Sequence, residues 1–179
     1  MNKDQPFTSQ QADRFHDAKE RLLKGEPLQY ITGVQWFMGR EFEVNKHVLI
    51  PRPETEELIQ WIVDDCKQAH ELHILDIGTG SGCISIMLKL LLPGATVLSG
   101  DVSDKALQVA ERNALKQDAD IELAEIDFLD ERTWPHLDQY DVVVSNPPYI
   151  PDSEKEHLDR NVRDYEPDLA LFVPHDDPL

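Results

Sequence analysis

The sequence predicts an α/β fold with a parallel central sheet. From Leu72 onward, short apolar runs typical of strands alternate with segments whose apolar residues recur at helical spacing. Such alternation is typical of right-handed βαβ units, which place consecutive strands parallel in one sheet. The length of 179 residues, with 40% hydrophobic and 29% charged residues, fits one folded domain with a short appendage.

A helix is predicted first, over about residues 8–24. Thr8 or Ser9 can cap its start, and Gly25 with Pro27 ends it. Its apolar stripe is thin, so the helix needs a partner to pack against. The stripe consists of Phe15, Ala18 and Leu22.

A β-hairpin and a second helix are predicted before the alternating region. The strands over residues 35–38 and 41–44 flank a turn at Gly39–Arg40. Pro51 and Pro53 then fix an extended backbone around Arg52. The helix is expected to start near Thr55, with its apolar face formed by Leu58, Ile59, Ile62, Val63 and Cys66.

Four strands and two further helices complete the predicted order. The strands are residues 73–78, 96–101, 121–127 and 141–146, and the last is apolar enough to be covered on both faces. The first helix buries Ile84, Met87, Leu88 and Leu91 and ends at Pro93–Gly94. The second spans residues 103–116 and buries Ala106, Leu107, Val109 and Ala110.

The charge and composition of the chain limit the kinds of molecule that we expect it to bind. A formal net charge of -18 and a pI of about 4.6 disfavour broad electrostatic binding to the phosphate backbone of a nucleic acid and favour a basic partner. Cys66 and Cys83 have no metal-ligand spacing, so we expect inert core thiols and no metal. Without a membrane-spanning run or a signal peptide in the sequence, we expect a cytoplasmic location and no membrane partner.

A glycine loop follows the first strand of the alternating region. Residues 76–82 read Asp-Ile-Gly-Thr-Gly-Ser-Gly, and the next strand ends in Asp101, which can bind both hydroxyls of a ribose. A tight βα turn without a ligand, a nicotinamide cofactor and a phosphate loop are the alternatives. Cys83 replaces the third glycine of a dinucleotide site, and the Lys-Ser/Thr pair of a phosphate loop is absent. S-adenosylmethionine is therefore the cofactor we expect.

The fourth strand ends in the sequence Ser145-Asn-Pro-Pro-Tyr149. The Asn146 side-chain oxygen and the Pro147 carbonyl are two acceptors on a stiff frame, which match the two hydrogens of an –NH2 group. Tyr149 can stack on the planar group that carries it. This arrangement orients a weakly nucleophilic nitrogen for methyl transfer, and no strong base is needed beforehand. A structural Pro-Pro turn is the alternative.

The Asn-Pro-Pro-Tyr sequence also occurs in adenine amino-group methyltransferases, so it leaves the substrate open. Longer segments favour one family. Residues 25–33, 48–56, 75–84, 145–151 and 165–171 together closely resemble the HemK (PrmC) family of release factor glutamine methyltransferases. The resemblance extends over about residues 20–174. It implies a Rossmann-like class I S-adenosylmethionine-dependent fold and methylation of the glutamine in the Gly-Gly-Gln loop of bacterial peptide chain release factors.

The resemblance also implies the role of each site residue. The expected catalytic residues are Asn146, Pro147 and Tyr149. The same three residues and Pro148 are expected to bind the substrate. Residues 51–55 resemble the family's lid over the methionine end of the cofactor. The residues expected to bind the cofactor are Asp76, Gly78, Thr79, Gly80, Ser81, Gly82, Asp101, Phe128 and Asn146.

The family pattern divides the chain into three parts. Residues 1–28 match the last part of a helical substrate-binding domain, 29–52 a linker with the hairpin, and 53–179 the catalytic domain. The family continues with three further strands, so we expect this chain to lack them and its fourth strand to be an unprotected edge. Two alternatives remain open: an adenine or guanine amino-group methyltransferase of nucleic acid, and a fragment that binds the cofactor or a partner without turnover.

Overall fold

The computed structural model describes residues 8–69 and 71–174, in which helices and strands alternate. The helices are α1 (Ser9–Leu23), α2 (Leu28–Thr32), α3 (Pro53–Cys66), α4 (Cys83–Leu91), α5 (Asp104–Gln117) and α6 (Arg160–Arg163). The strands are β1 (Val34–Phe37), β2 (Arg40–Glu43), β3 (His73–Ile77), β4 (Thr96–Asp101), β5 (Glu122–Glu125), β6 (Val142–Ser145), β7 (Ile150–Pro151) and β8 (Phe172–Val173).

The central sheet is parallel, as the alternation predicts. Its strand order is β5-β4-β3-β6, so β3 lies between β4 and β6. The prediction that both faces of β6 are covered is wrong within the described residues. Val144 is buried, whereas Val143 on the opposite face is 59% exposed. β6 therefore forms one edge of this sheet.

The hairpin forms between β1 and β2, with its turn one residue earlier than predicted. Phe37 pairs with Arg40, so Met38 and Gly39 are the two central residues of the turn. Both have positive φ angles, 46° and 74°, which is typical of a type I′ turn. The predicted strand over residues 35–38 included Met38, whereas the structure places this residue in the turn, in a conformation that non-glycine residues seldom adopt.

Side-chain caps begin two helices where the sequence indicates them. Thr8 caps α1 in a capping box with Gln11. Ser103 caps α5 by accepting a hydrogen bond from the Ala106 N–H. α1 itself buries no residue, and the stripe residues Phe15 and Leu22 are more than half exposed. α3 begins at Pro53, earlier than predicted, because proline is well suited to the first turn of a helix.

The larger core cluster lies between the central sheet and the helices α3 and α4. It includes Ile59, Ile74, Ile86, Leu88 and Val97, all of them fully buried or nearly so. The prediction that Leu91 is buried is wrong, since this residue in the last turn of α4 is 41% exposed. A second cluster packs the segment after the hairpin against α5 and consists of Tyr30, Val44, Val48, Ile50, Ala106 and Val109.

The two cysteines differ in their surroundings. Cys83 is buried, and burial raises the pKa of its thiol to about 12. Cys66 is only partly buried at the end of α3, where it packs against the larger cluster. In the described part of the chain, we find neither a cluster of three or more metal-ligating side chains nor a helix long and apolar enough to cross a membrane.

Candidate active site

The carboxyl ends of β3, β4 and β6 meet at one edge of the sheet. The glycine loop follows β3, Asp101 ends β4, and Asn146 follows β6. The N–H groups of Gly78 and Thr79 donate to the Gly100 carbonyl, at 2.8 and 3.1 Å, and tie the loop to β4. The residues singled out in the sequence are thus brought together where ligands bind in open α/β sheets.

The glycine loop needs glycine for two different reasons. Gly78 and Gly80 have φ angles of 74° and 54°, and a Cβ at Gly78 would meet nothing within 4 Å, so that side of the loop is open. Gly82 has φ 79°, and a Cβ there would lie 3.1 Å from the Ala110 Cβ. The first two glycines shape an accessible loop, while Gly82 permits α4 and α5 to approach closely.

Asp101 is held rigidly at the end of β4. One carboxylate oxygen accepts the Gly80 N–H at 2.9 Å, and the other accepts the Ser103 N–H at 2.9 Å. The residue is 9% exposed. Each oxygen keeps a second lone pair, so the carboxylate can still accept two hydroxyl groups of a ligand.

Phe128 packs directly onto the last residues of β4. A Cβ at Gly100 would lie 2.5 Å from the Phe128 Cε2 atom and 2.7 Å from Cζ. No side chain larger than hydrogen fits between the strand and the ring. Gly100 therefore permits the half-buried Phe128 ring to pack against the end of β4.

Asp76 lies beneath the loop and is fully buried. Its Oδ2 atom accepts hydrogen bonds from the Thr79 hydroxyl, at 2.9 Å, and from the Ser85 hydroxyl. Burial is the main cause that raises the pKa of this carboxyl to about 6, and the two hydroxyls oppose it. Oδ1 is buried without a hydrogen-bond partner among the described residues. Burial of such an atom is costly, so it is suited to a ligand or a water.

The side chains of Thr79 and Ser81, both predicted to bind cofactor, are buried. The Thr79 hydroxyl is engaged with Asp76, and the Ser81 carbonyl accepts the Asn113 Nδ2–H at 2.8 Å. These two residues brace the loop from inside. Their predicted contact with the cofactor stays a prediction.

The Asn-Pro-Pro-Tyr segment leaves the sheet beside the glycine loop. The Ser145 hydroxyl donates to the Ile77 carbonyl at 2.8 Å and fixes the end of β6 against β3. Asn146 and the two prolines are half-buried, whereas Tyr149 is 72% exposed. The Tyr149 ring is thus accessible for stacking.

Asn146 makes a hydrogen bond that the sequence does not reveal. Its Nδ2 atom donates to the Thr55 hydroxyl oxygen, at 3.3 Å, across 91 residues of chain. Thr55 is buried in the first turn of α3. The only sequence signal for this residue is its place in the predicted lid segment.

Glu166 and Asn113 are further supports that sequence reasoning missed. Glu166 is buried and accepts from the Ile50 N–H, at 3.2 Å, and from the Arg52 guanidinium, at 2.7 Å. Asn113 joins the Ser81 carbonyl to both backbone groups of Glu43. Both connect segments distant in sequence, which local patterns do not predict.

Two family descriptions match this chain. Residues 55–162 match the family described as "Methyltransferase small domain", which is more than half of the chain. Residues 1–33 match the family described as "PrmC N-terminal domain". The first match contains the glycine loop, Asp101, Phe128 and the Asn-Pro-Pro-Tyr segment.

Curated relatives are similar over most of the chain. A protein of Flavobacterium psychrophilum named "Release factor glutamine methyltransferase" is 48% identical over 162 residues, which is 89% of this chain and 56% of that protein. A protein of the same name from Bacteroides thetaiotaomicron is 48% identical over 159 residues, with the same coverage. The chain thus spans little more than half the length of these relatives.

Solved structures show the same fold at lower sequence identity. An S-adenosylmethionine-dependent methyltransferase from Agrobacterium tumefaciens has a TM-score of 0.54 and 22% identity, covering 64% of this chain and 39% of that one. The hMettl16 catalytic domain, solved with the MAT2A 3'UTR hairpin 1, has a TM-score of 0.56 and 20% identity, covering 90% and 67%. At these identities the likeness concerns the fold alone.

Proposed function

Because the chain belongs to the HemK (PrmC) family of methyltransferases, we propose that it transfers a methyl group from S-adenosylmethionine to a glutamine side-chain amide nitrogen. The glutamine is that of the Gly-Gly-Gln loop in bacterial peptide chain release factors. The resemblance seen in the motifs is confirmed by the matching families and relatives, as is the class I methyltransferase fold.

One observation carries this proposal. The Asn-Pro-Pro-Tyr segment lies at the carboxyl end of β6, directly beside the glycine loop. Only β3 separates β6 from β4, which ends at Asp101. A group that binds –NH2 and a nucleoside-binding group therefore face the same edge of the sheet. The relatives' printed name supports glutamine as the residue that carries the –NH2 group.

The residues present fit S-adenosylmethionine. Asp101 keeps lone pairs for the two ribose hydroxyls, and Phe128, which packs on the preceding residue Gly100, offers an aromatic face for the adenine. The open sides of Gly78 and Gly80 leave room for a ligand against the loop, and the unpartnered Asp76 oxygen is an acceptor beneath it. When bound, this cofactor supplies an electrophilic methyl group on a sulfonium.

The chain's own residues orient the acceptor nitrogen. The Asn146 Oδ1 atom and the Pro147 carbonyl each accept one N–H of the glutamine amide, which holds the nitrogen and favours its pyramidal form. Tyr149, exposed at the end of the segment, stacks on the planar amide. The methylated nitrogen then loses a proton to solvent, so no strong base is required.

The charge of the chain fits a protein substrate. A net charge of -18 disfavours a nucleic acid acceptor, because phosphates are repelled over distances of about 10 Å at 0.1 M salt. We therefore include release factors as the partner, without direct nucleic acid contact. The proposal includes a cytoplasmic location, since release factors act there.

The test is a transfer assay with methyl-labelled S-adenosylmethionine. Purified release factor, its variant with alanine in place of the loop glutamine, and an adenine-rich RNA are offered in parallel to the chain and to its Asn146→Ala variant. We expect label on the unaltered release factor alone, and about 100-fold less with Asn146→Ala. Label on RNA, or equal label on both release factors, contradicts the proposal.

A further inference from the structure

Thr55 is the residue that contacts the Asn146 side chain from α3. It is 6% exposed, and its hydroxyl oxygen accepts the Asn146 Nδ2–H at 3.3 Å. The two residues come from elements on opposite sides of the glycine loop in sequence. Among the described residues, the Asn146 amide is the group shown to hydrogen-bond with this buried hydroxyl.

The contact matters because the two ends of an asparagine amide differ. Oδ1 accepts hydrogen bonds and Nδ2 donates them, so only one orientation of Asn146 can bind an incoming –NH2 group. Asn146 follows the last residue of β6, and the sheet pairing that fixes Ser145 does not fix this side chain. With Nδ2 bonded to Thr55, Oδ1 remains as the acceptor for a ligand.

Thr55 is itself held firmly. The Glu56 carboxylate accepts the Met38 N–H at 2.9 Å and ties the first turn of α3 to the hairpin. The Gln35 side chain donates to the Pro51 carbonyl at 3.1 Å, and Arg52 pairs with the buried Glu166 at 2.7 Å. Three contacts from two segments, the hairpin and the segment that contains Glu166, therefore fix the backbone that presents the Thr55 hydroxyl.

We propose that Thr55 is a positioning residue, which holds the Asn146 amide in the one orientation that presents Oδ1 to the acceptor nitrogen. This inference rests on the proposed function. It assigns to the start of α3 a role in the transfer step rather than in cofactor binding alone. Without the hydroxyl, the amide can rotate so that Nδ2 faces the substrate. Two hydrogen-bond donors, Nδ2–H and the substrate N–H, then face each other and no hydrogen bond forms.

The main test compares Thr55→Val, which keeps the shape and removes the hydroxyl, with Thr55→Ser, which keeps the hydroxyl. Thr96→Val, on an exposed strand position at the opposite end of the sheet, is the matched control. We expect Thr55→Val to lower kcat for release factor about tenfold with little change in KM for the cofactor. Thr55→Ser and Thr96→Val should stay within about twofold of the unaltered chain.

A second arm separates positioning from a general loss of structure. In Asn146→Asp, both ends of the side chain are acceptors, so its orientation no longer matters. Thr55→Val should then lower the remaining rate less than about twofold in this background. A similar loss of kcat in both backgrounds, or no loss in either, overturns the proposal.

A third arm does not depend on turnover. The Asn146 side-chain amide resonances, identified by their loss in Asn146→Asp, are followed by ¹⁵N NMR in each Thr55 variant. We expect Thr55→Val to displace them and Thr55→Ser to leave them nearly in place. If no variant methylates release factor, the proposed function fails, and unchanged resonances in Thr55→Val overturn the positioning role independently.

Discussion

Asp76 is a buried carboxylate whose ionisation costs free energy in the folded chain. Burial raises its pKa from 3.8 to about 6, although two hydroxyls donate to it. The folded state therefore holds a proton that the unfolded state has already lost between these two pH values. Stability from this residue is present at low pH and is lost as the pH rises through about 6.

We predict that Asp76→Asn removes this dependence. Relative to the variant, the free energy of unfolding of the unaltered chain should fall by roughly 2 to 3 kcal/mol between pH 4 and pH 7. Urea unfolding of both proteins at each pH measures the difference. The contributions of the other acidic residues to the pH dependence cancel, because both proteins contain them. A difference that is independent of pH would show that the Asp76 pKa is not raised.

Gly100 has no side chain, and this absence leaves space for the Phe128 ring. We predict that Gly100→Ala displaces the Phe128 ring, because the new Cβ would lie 2.5 Å from it. Stability should fall by about 1 to 3 kcal/mol, and affinity for S-adenosylmethionine about tenfold. Thermal unfolding and calorimetry measure the two effects.

Two controls for Gly100→Ala distinguish the steric clash with the Phe128 ring from a general effect of replacing a glycine by alanine. Gly94→Ala, at an exposed turn after α4, should change neither quantity. Adding Phe128→Leu to Gly100→Ala relieves the clash, so stability should recover while the weak affinity persists. Recovery of affinity in the double variant would mean that the aromatic ring does not contribute to cofactor binding.

At the scale of elements, α5 connects the hairpin to the glycine loop through Asn113. This side chain is fully buried, accepts the Glu43 N–H at 2.6 Å, and donates to the Glu43 and Ser81 carbonyls at 3.0 and 2.8 Å. The bond to Ser81 is buried and the two to Glu43 are partly buried, and unpaired polar groups are costly in such surroundings. The hairpin therefore supports the glycine loop.

We predict that Asn113→Ala lowers the free energy of unfolding by about 3 kcal/mol, because it leaves three backbone groups without partners. Cofactor affinity should fall as well, since the Ser81 carbonyl is released. Gln60→Ala, which removes an exposed side-chain amide from α3, is the matched control and should change stability by less than about 0.5 kcal/mol. If both variants lose stability equally, the buried connection is not what stabilises the loop.

The elements that could be predicted from sequence are those whose formation is determined by residues within or next to the element itself. β3, β4 and α5 follow from apolar periodicity and caps, and the loop at Gly78 follows from its glycines. α2 and the positive φ of Met38 were missed, because five residues show little periodicity and methionine rarely adopts that conformation. The bonds of Thr55 and Asn113 join residues 91 and 70 positions apart, so no local pattern contains them.

At the scale of the whole molecule, sheet order decides which strand is left at an edge. Alternation predicts parallel strands, but it does not place β6 outside β3. Within the described residues, β6 has no partner on its outer side, and Val143 is 59% exposed. An edge strand with exposed apolar residues presents unpaired N–H and C=O groups to other chains.

We predict that this chain self-associates through β6 as its concentration rises. Val143→Lys should suppress the association, because a lysine on an edge strand opposes pairing with a second copy. Leu115→Lys is the matched control, since Leu115 is 77% exposed on α5 and the substitution changes the net charge equally. Sedimentation velocity over a range of concentrations measures the outcome. Equal suppression by both variants would mean that charge repulsion, with 35 acidic residues against 17 basic ones, governs association, and β6 pairing does not.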